Sequence, residues 1–600
     1  MTLGAAYYPE QFPPECWTVD VNLMADAGLR FVRMGEHAWA RLETAPGQFS
    51  FGWLDACIAL FQARQIEVIL GTPTACPPPW LWTDDLALVD RDGVRMEHGS
   101  RHSYCPNHEG LWEASRRIVE ALAAHYANTP GVIAWQLDNE LGIVGSHVCY
   151  CDRCRANFRS WLNERYGDLD TLNRTWGTAS WGARYTDWAQ IPSARRSTMG
   201  NNPGLVLDYL RFASERAADF ARMQAALLRA ANPAWTITHN FWAPLNPIHD
   251  ITPIDEVLDV TGIDAYPTLG YGTPGAALLY DAARAAKRKP FWSLELQARS
   301  ALNWQQVAPT SRPGQIRLWT AQALARGAER VTYWAWRTGA SGAEMYWHGI
   351  LGHDGRPNRF LDEVKQAASD AAELAQVLAG TSVSGPVAML NDAVSHMAWE
   401  SVLKPNAGLR WQDVFFSFYA ALYRNGLAPD VLADAAHLDE YPLVIAPLLY
   451  SVSPEMAERL HGYVERGGTL VTTFRSGSVT RGHVQWERNP LFEAFNIRPV
   501  EFDPRAHDNP VSLTTDRGNV DSGQAWAELF NAPGAEIWAR YMDDYFAGEP
   551  AIIRQPVGSG ALVLFGTLPA DLKPWLARIC EQADVRFSPD LPEGVEHVER

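Results

Sequence analysis

The chain has 600 residues, 47% of them hydrophobic and 20% charged, with a formal net charge of −18. These are ordinary values for a globular protein, and the length requires two or three packed units because single cores stop growing at about 250–300 residues. The acidic balance excludes nucleic acid as an expected partner, since neutralising phosphates needs a basic surface. No stretch approaches the ~18 consecutive apolar residues of a membrane span.

The chain opens MTLGAAYYPEQF, without the basic flank, apolar run and cleavage site of a secretory signal, so a cytoplasmic protein is expected. From there to residue 337, short β-rich runs alternate with longer helical patterns. Strands are read at 3–9, 31–36, 67–73, 132–140, 235–241, 260–266, 290–296 and 331–337, with helices at 109–128, 205–231 and 314–328 among those between them. That alternation predicts a parallel sheet. A doubly wound sheet would alternate in the same way, but eight strands favour a (β/α)8 TIM barrel with enlarged loops after its third and fourth strands.

Residues 376–386, QVLAGTSVSGP, read as a linker. Beyond it PVAMLND, LVIAPLLY and TLVTTF look like buried parallel strands, with helical runs at 412–425 and 454–466 between them. A second, flavodoxin-like α/β domain is therefore expected. Arg466-Gly467-Gly468 reads as a helix stop, not a phosphate cradle, and no organic cofactor is called for. The segment from 581 has turn signals and little apolar periodicity. The expected divisions are 1–378 for the barrel, 387–580 for the α/β domain and 581–600 for a tail.

In such a barrel, functional side chains collect at the C-terminal ends of the strands. Strand four ends in Asp138-Asn139-Glu140 and strand seven in Trp292-Ser293-Leu294-Glu295. Cleaving a glycosidic bond needs one carboxylic acid to protonate the leaving oxygen and one carboxylate at the anomeric carbon, and two strand-end glutamates meet that need. Either glutamate alone could simply end a strand in solvent or pair with an arginine. The 25 tryptophans would suit sugar faces, although rings of this kind mostly pack cores.

Eight cysteines include Cys149, Cys151 and Cys154 in a Cys-x-Cys-x-x-Cys turn, to which Cys105 would add a fourth thiol. A closed tetrahedral S4 site for structural zinc is expected, with no open position for catalysis. Disulfides compete, but a cytoplasmic location and the tightness of the turn disfavour them. Cys16, Cys57, Cys76 and Cys580 read as small apolar residues.

Together AAYYPEQ, RMGEHAWARLE, GQFSFGWLD, TPTACPPPWL, WQLDNELG and FWSLELQ resemble glycoside hydrolase family 42, the β-galactosidases, over nearly all of the chain. The resemblance implies a retaining, exo-acting β-galactosidase with Glu140 as acid/base, Glu295 as nucleophile and Asn139 on the sugar 2-hydroxyl. It places Arg33, Trp304, Glu344 and His348 around the galactose hydroxyls. Tyr266 would either bond the nucleophile or pack as a strand-end ring. The resemblance also implies zinc on the four cysteines and a homotrimer formed through the α/β domain. The family's small C-terminal β-domain would start about where this sequence stops, so little or none of it is expected. α-L-Arabinopyranosides share the galactoside ring pattern and are an alternative substrate. A non-catalytic sugar-binding barrel is a further alternative, opposed by the presence of both glutamates.

Overall fold

The computed structural model describes residues 1–600 except 243, 244, 247, 303–305, 384, 402–407, 506–508, 589 and 593. Eight parallel strands close into a barrel: β1 Thr2–Ala6, β2 Phe31–Met34, β3 Glu67–Gly71, β4 Val132–Gln136, β5 Thr236–Phe241, β6 Val260–Ala265, β7 Phe291–Gln297 and β8 Ala328–Trp334. The closed ring decides between the two architectures left open by the alternation of elements. β7 is buried at every position, as expected of a strand covered on both faces.

Outer helices at Pro14–Asp26, Gly52–Ala63, Glu109–Tyr126, Pro203–Ala231, Gly272–Lys287, Gln315–Ala325 and Arg359–Val377 cover the barrel. The longest is Pro203–Ala231. It starts where the Asn202 side chain accepts from the Leu205 amide and Pro203 supplies a preset φ. Between β5 and β6 the described residues form a single helical turn, Thr252–Asp255. The connection after β4 is enlarged by two helices, Asp152–Tyr166 and Leu169–Trp176.

The second region contains the expected parallel strands and adds an antiparallel part that was not expected. Strands 430–432, 387–390, 443–446, 469–473 and 560–565 lie parallel in that order, the arrangement of a flavodoxin-like half. The sheet then continues antiparallel through 550–557, 536–541, 511–515, 520–524 and 568–569 to ten strands in all. Antiparallel strands with one wet face lack the continuous apolar runs by which the parallel ones were recognised; Val511–Thr515 is only partly buried. The two expected helices are present at Trp411–Arg424 and Pro454–Glu465.

The segment beyond 581, read as a tail, makes contacts with both regions. Glu596 accepts from Gln322 and Arg326 of the barrel and from Tyr423 of the second region. Among the described residues no helix is long and apolar enough to cross a membrane.

Candidate active site

β4 leaves the barrel through a sharp turn in which Asp138 and Glu140 have φ of 49° and 48°. Left-handed backbone costs a residue with a Cβ about 1–2 kcal/mol, so the turn must be held by its surroundings. Thr72 Oγ1 accepts from the Asp138 amide at 2.6 Å, and Thr74 donates to the Asp138 carboxylate. From β5, Asn240 Oδ1 accepts from the Glu140 amide at 3.2 Å. The Glu140 carboxylate then meets Arg101 Nη2 at 2.7 Å and Asn139 Nδ2 at 3.3 Å.

Glu295, near the end of β7, faces donors on both oxygens. Arg33 Nη2 donates to Oε1 at 2.7 Å, Asn240 Nδ2 lies 3.4 Å from the same oxygen, and the Tyr266 hydroxyl donates to Oε2. Such a set suits a carboxylate, which only accepts. Arg33 is fully buried and is fixed by further bonds to Gln136 at 3.0 Å and Tyr8 at 3.2 Å and by its ion pair with Glu36 at 3.1 Å.

The two glutamates are joined through two amides. Asn240 Nδ2 donates to Asn139 Oδ1 at 3.0 Å as well as approaching Glu295, and Asn139 Nδ2 donates to Glu140. A third acid, Asp264, pairs with Glu295 in the β6–β7 register and accepts from Asn240 Nδ2 at 2.8 Å.

Burial pushes the Glu140 pKa up to about 7; Arg101 opposes the rise, while the charges of Glu295 and Glu344 add to it. Asp138 is pushed up to about 7 by burial, against the Thr74 and Asn139 hydrogen bonds. Asp264 is raised well above the carboxylate range by burial, with Glu295 and Glu140 adding to the shift. Burial also raises Glu344, with Arg101 opposing.

Arg101 and Glu344 line a cleft of about 1040 Å³ together with Gln11, His37 and Cys76. The structure therefore brings together Arg33, Asn139, Glu140, Tyr266 and Glu295, with Glu344 on the cleft wall. For Tyr266 the hydrogen bond and the packed ring coexist, because its ring meets Trp347 edge-on at 4.9 Å. The His348 ring lies by Tyr346 and His353, and its amide donates to Ser300 O at 3.1 Å. Trp304 lies outside the described residues. Cys57 and Cys580 are buried as expected of small apolar residues, whereas Cys16 and Cys76 are only partly buried and Cys76 lines the cleft.

Arg101, Asn240 and Asp264 were missed by sequence reasoning. Asn240 and Asp264 are polar residues near the C-terminal ends of the β-rich runs WTITHNF and VTGIDAY, a visible signal. Arg101 sits in an irregular loop, GSRHS, with no local pattern to mark it.

Sulfur atoms of Cys105, Cys149, Cys151 and Cys154 all lie within 4.8 Å of one another. Cys105 is 3.6 Å from Cys151 and 3.4 Å from Cys154. Thiolates 2.3 Å from a central ion would be separated by about 3.8 Å, so the set fits a tetrahedral metal. Three N–H groups face the sulfurs: Val89 N to Cys149 at 3.3 Å, Asn107 Nδ2 to Cys154 at 3.2 Å and Cys154 N to Cys151 at 3.5 Å. Donors of this kind favour thiolates, as outer-shell partners do at metal sites. This cluster could hold a metal ion.

A family model described as β-galactosidase of glycoside hydrolase family 42 matches residues 6–374. The chain belongs to glycoside hydrolase family 42. A second model, for a β-galactosidase trimerisation domain, matches residues 385–586. Among the relatives of this family 42 chain, "Beta-galactosidase Bga" of Halorubrum lacusprofundi is 34% identical, over 99% of this chain and 89% of the relative. A β-galactosidase of a Thermus species is 38% identical over 80% of this chain and 76% of its own. The solved β-galactosidase of Halorubrum lacusprofundi superposes with a TM-score of 0.94 at 33% identity, covering 99% of this chain and 92% of the other. That of Rahnella sp. R3 gives a TM-score of 0.94 at 31% identity, with coverage of 99% and 91%.

Proposed function

We propose that this family 42 hydrolase is a retaining, exo-acting β-galactosidase in which Glu295 is the nucleophile and Glu140 the acid/base. The observation that carries the reading is the contrast between the two carboxyls. Glu295 accepts from Arg33 on one oxygen and Tyr266 on the other, whereas Glu140, although it also meets the donors Arg101 and Asn139, is pushed up to about 7 by burial and can hold a proton. Glu295 attacks the anomeric carbon while Glu140 gives its proton to the departing glycosidic oxygen. The ester formed removes the negative charge of Glu295, one of the causes that raise Glu140, so Glu140 becomes a stronger acid and exists as the base that water needs. Water then displaces Glu295 with a second inversion, restoring both groups and giving net retention.

Asn139, held by Asn240, is assigned to the sugar 2-hydroxyl, and Arg33, Tyr266, Glu344, Trp304 and His348 to fixing the nucleophile and the remaining hydroxyls. Cys105, Cys149, Cys151 and Cys154 are assigned to one structural zinc, which would tie the loop after β3 to the loop that follows Glu140. Four adjacent thiols suited to metal rather than disulfide support a reducing, cytoplasmic setting. We further propose a catalytic unit at 1–378, an α/β unit at 387–580 and a tail at 581–600. The match to a trimerisation domain supports a homotrimer.

The test is a pair of variants assayed on chromogenic β-galactosides and α-L-arabinopyranosides. Folded Glu295→Gln should lose turnover, because an amide cannot attack the anomeric carbon. Glu140→Ala should still capture the sugar from activated aryl galactosides and should release it faster when azide is added. Normal turnover in Glu295→Gln, or no azide effect in Glu140→Ala, would overturn the assignment. Hydrolysis of arabinopyranoside alone would change the substrate class.

A further inference from the structure

The turn that carries Glu140 is closed by a histidine that the reaction above does not use. His239 of β5 is fully buried, with Nδ1 2.7 Å from the carbonyl of Leu137 and Nε2 3.1 Å from the amide of Leu141. These partners dictate one tautomer. The carbonyl only accepts, so Nδ1 carries the proton; the amide only donates, so Nε2 presents its lone pair. A second proton would set Nε2–H against the Leu141 N–H. Burial also holds this imidazole down, at about 4.

Between the two points of contact lie Asp138, Asn139 and Glu140, including both residues with left-handed φ. Regular pairing to β5 ends just before them, where the Leu137 amide donates to Thr238 O at 2.9 Å. From there on the backbone of the turn is held by side chains. Past the turn, Gly142 leaves no slack, since a Cβ there would come within 2.6 Å of the His249 ring.

We propose that His239 is a positioning residue for the acid/base: a neutral tie between Leu137 and Leu141 that keeps the turn in the strained form from which Glu140 reaches the leaving oxygen. The proposal rests on Glu140 being the acid/base. Without the tie, a buried carbonyl and a buried amide lose their partner, and the strained turn relaxes to find others. The carboxyl of Glu140 is displaced while Glu295, anchored by Arg33 and Tyr266, stays in place. A shift of about 1 Å at a reacting group costs on the order of 100-fold in rate.

The experiment measures kcat/KM of His239→Phe, which keeps a ring but neither hydrogen bond, on aryl β-galactosides of increasing leaving-group pKa. Poor leaving groups, which need the proton, should lose on the order of 100-fold, while a dinitrophenyl galactoside should stay within about threefold of the parent. His239→Gln, which can both donate and accept, should fall between the two. A role in stability alone would lower every substrate by one factor, so a flat loss in folded protein overturns the proposal. Should His239→Phe not fold, the same comparison with His239→Leu, which also keeps neither hydrogen bond, decides, and an unchanged ratio of substrates overturns it. Glu140→Ala, run alongside, separates the two ideas. If it lacks leaving-group dependence, the acid/base assignment fails and takes the tie with it. If it shows the dependence and the His239 variants do not, the tie alone fails.

Discussion

Replacing Arg101 by Met should move the alkaline limb of the pH–activity profile upward. Arg101 Nη2 lies 2.7 Å from Glu140 Oε2, with the arginine side chain 18% exposed and the glutamate 5%. It is the larger of two cationic influences, the other being Arg33, that oppose the effect of burial on Glu140, and the group settles at about 7. Removing the cation disfavours the ionised carboxylate, so the pKa rises. Charges about 4 Å apart at an effective dielectric of about 20 interact by about 4 kcal/mol, or about three pKa units. Water entering the space left by the guanidinium offsets part of this, so a rise of about one to two units is expected. Capture of the sugar requires protonated Glu140, and the alkaline limb of kcat/KM reports that proton in the free enzyme. The limb should therefore move up from about 7 by about one to two pH units. Lost sugar contacts would lower the height of the profile without moving the limb. Assays on an alkyl or unactivated aryl galactoside, parent and variant in parallel, read the shift directly. A limb that stays in place or moves down would refute both the pairing and its sign.

Tyr266→Phe removes the hydroxyl that donates to Glu295 Oε2. A hydrogen bond to a charged group contributes about 1.5–3 kcal/mol, so release of the sugar from Glu295 should slow by about 10- to 100-fold and a pre-steady-state burst should appear. Unchanged kcat without a burst would count against that contact. For the cysteine cluster, elemental analysis should find one zinc per chain, and chelation should lower the thermal midpoint before it lowers activity. Because thiolates form only as protons leave, metal loss should become easier as pH falls. Absence of zinc, or loss of turnover with stability unchanged, would sink the structural assignment.

Much of the catalytic half was legible in the sequence because its signals are local. A strand buried on both faces is mostly apolar, so a carboxylate in it or just past it stands out, as Glu295 and Asn139-Glu140 do. The spacing of Cys149, Cys151 and Cys154 is likewise a local statement about one turn. The antiparallel part of the second sheet was not legible, because strands such as Val511–Thr515 are half wet and their pairing is set by distant partners. Nor could local pattern show that Arg101 meets Glu140, that Asn240 links both glutamates, or that His239 closes the turn between Leu137 and Leu141. Sequence by itself determined which residues could do the chemistry, since residue type and strand position follow from burial and periodicity. Tertiary structure alone decided their protonation and aim, because the pKa of Glu140 and the strain of its turn come from groups that only the closed barrel brings within a few ångströms.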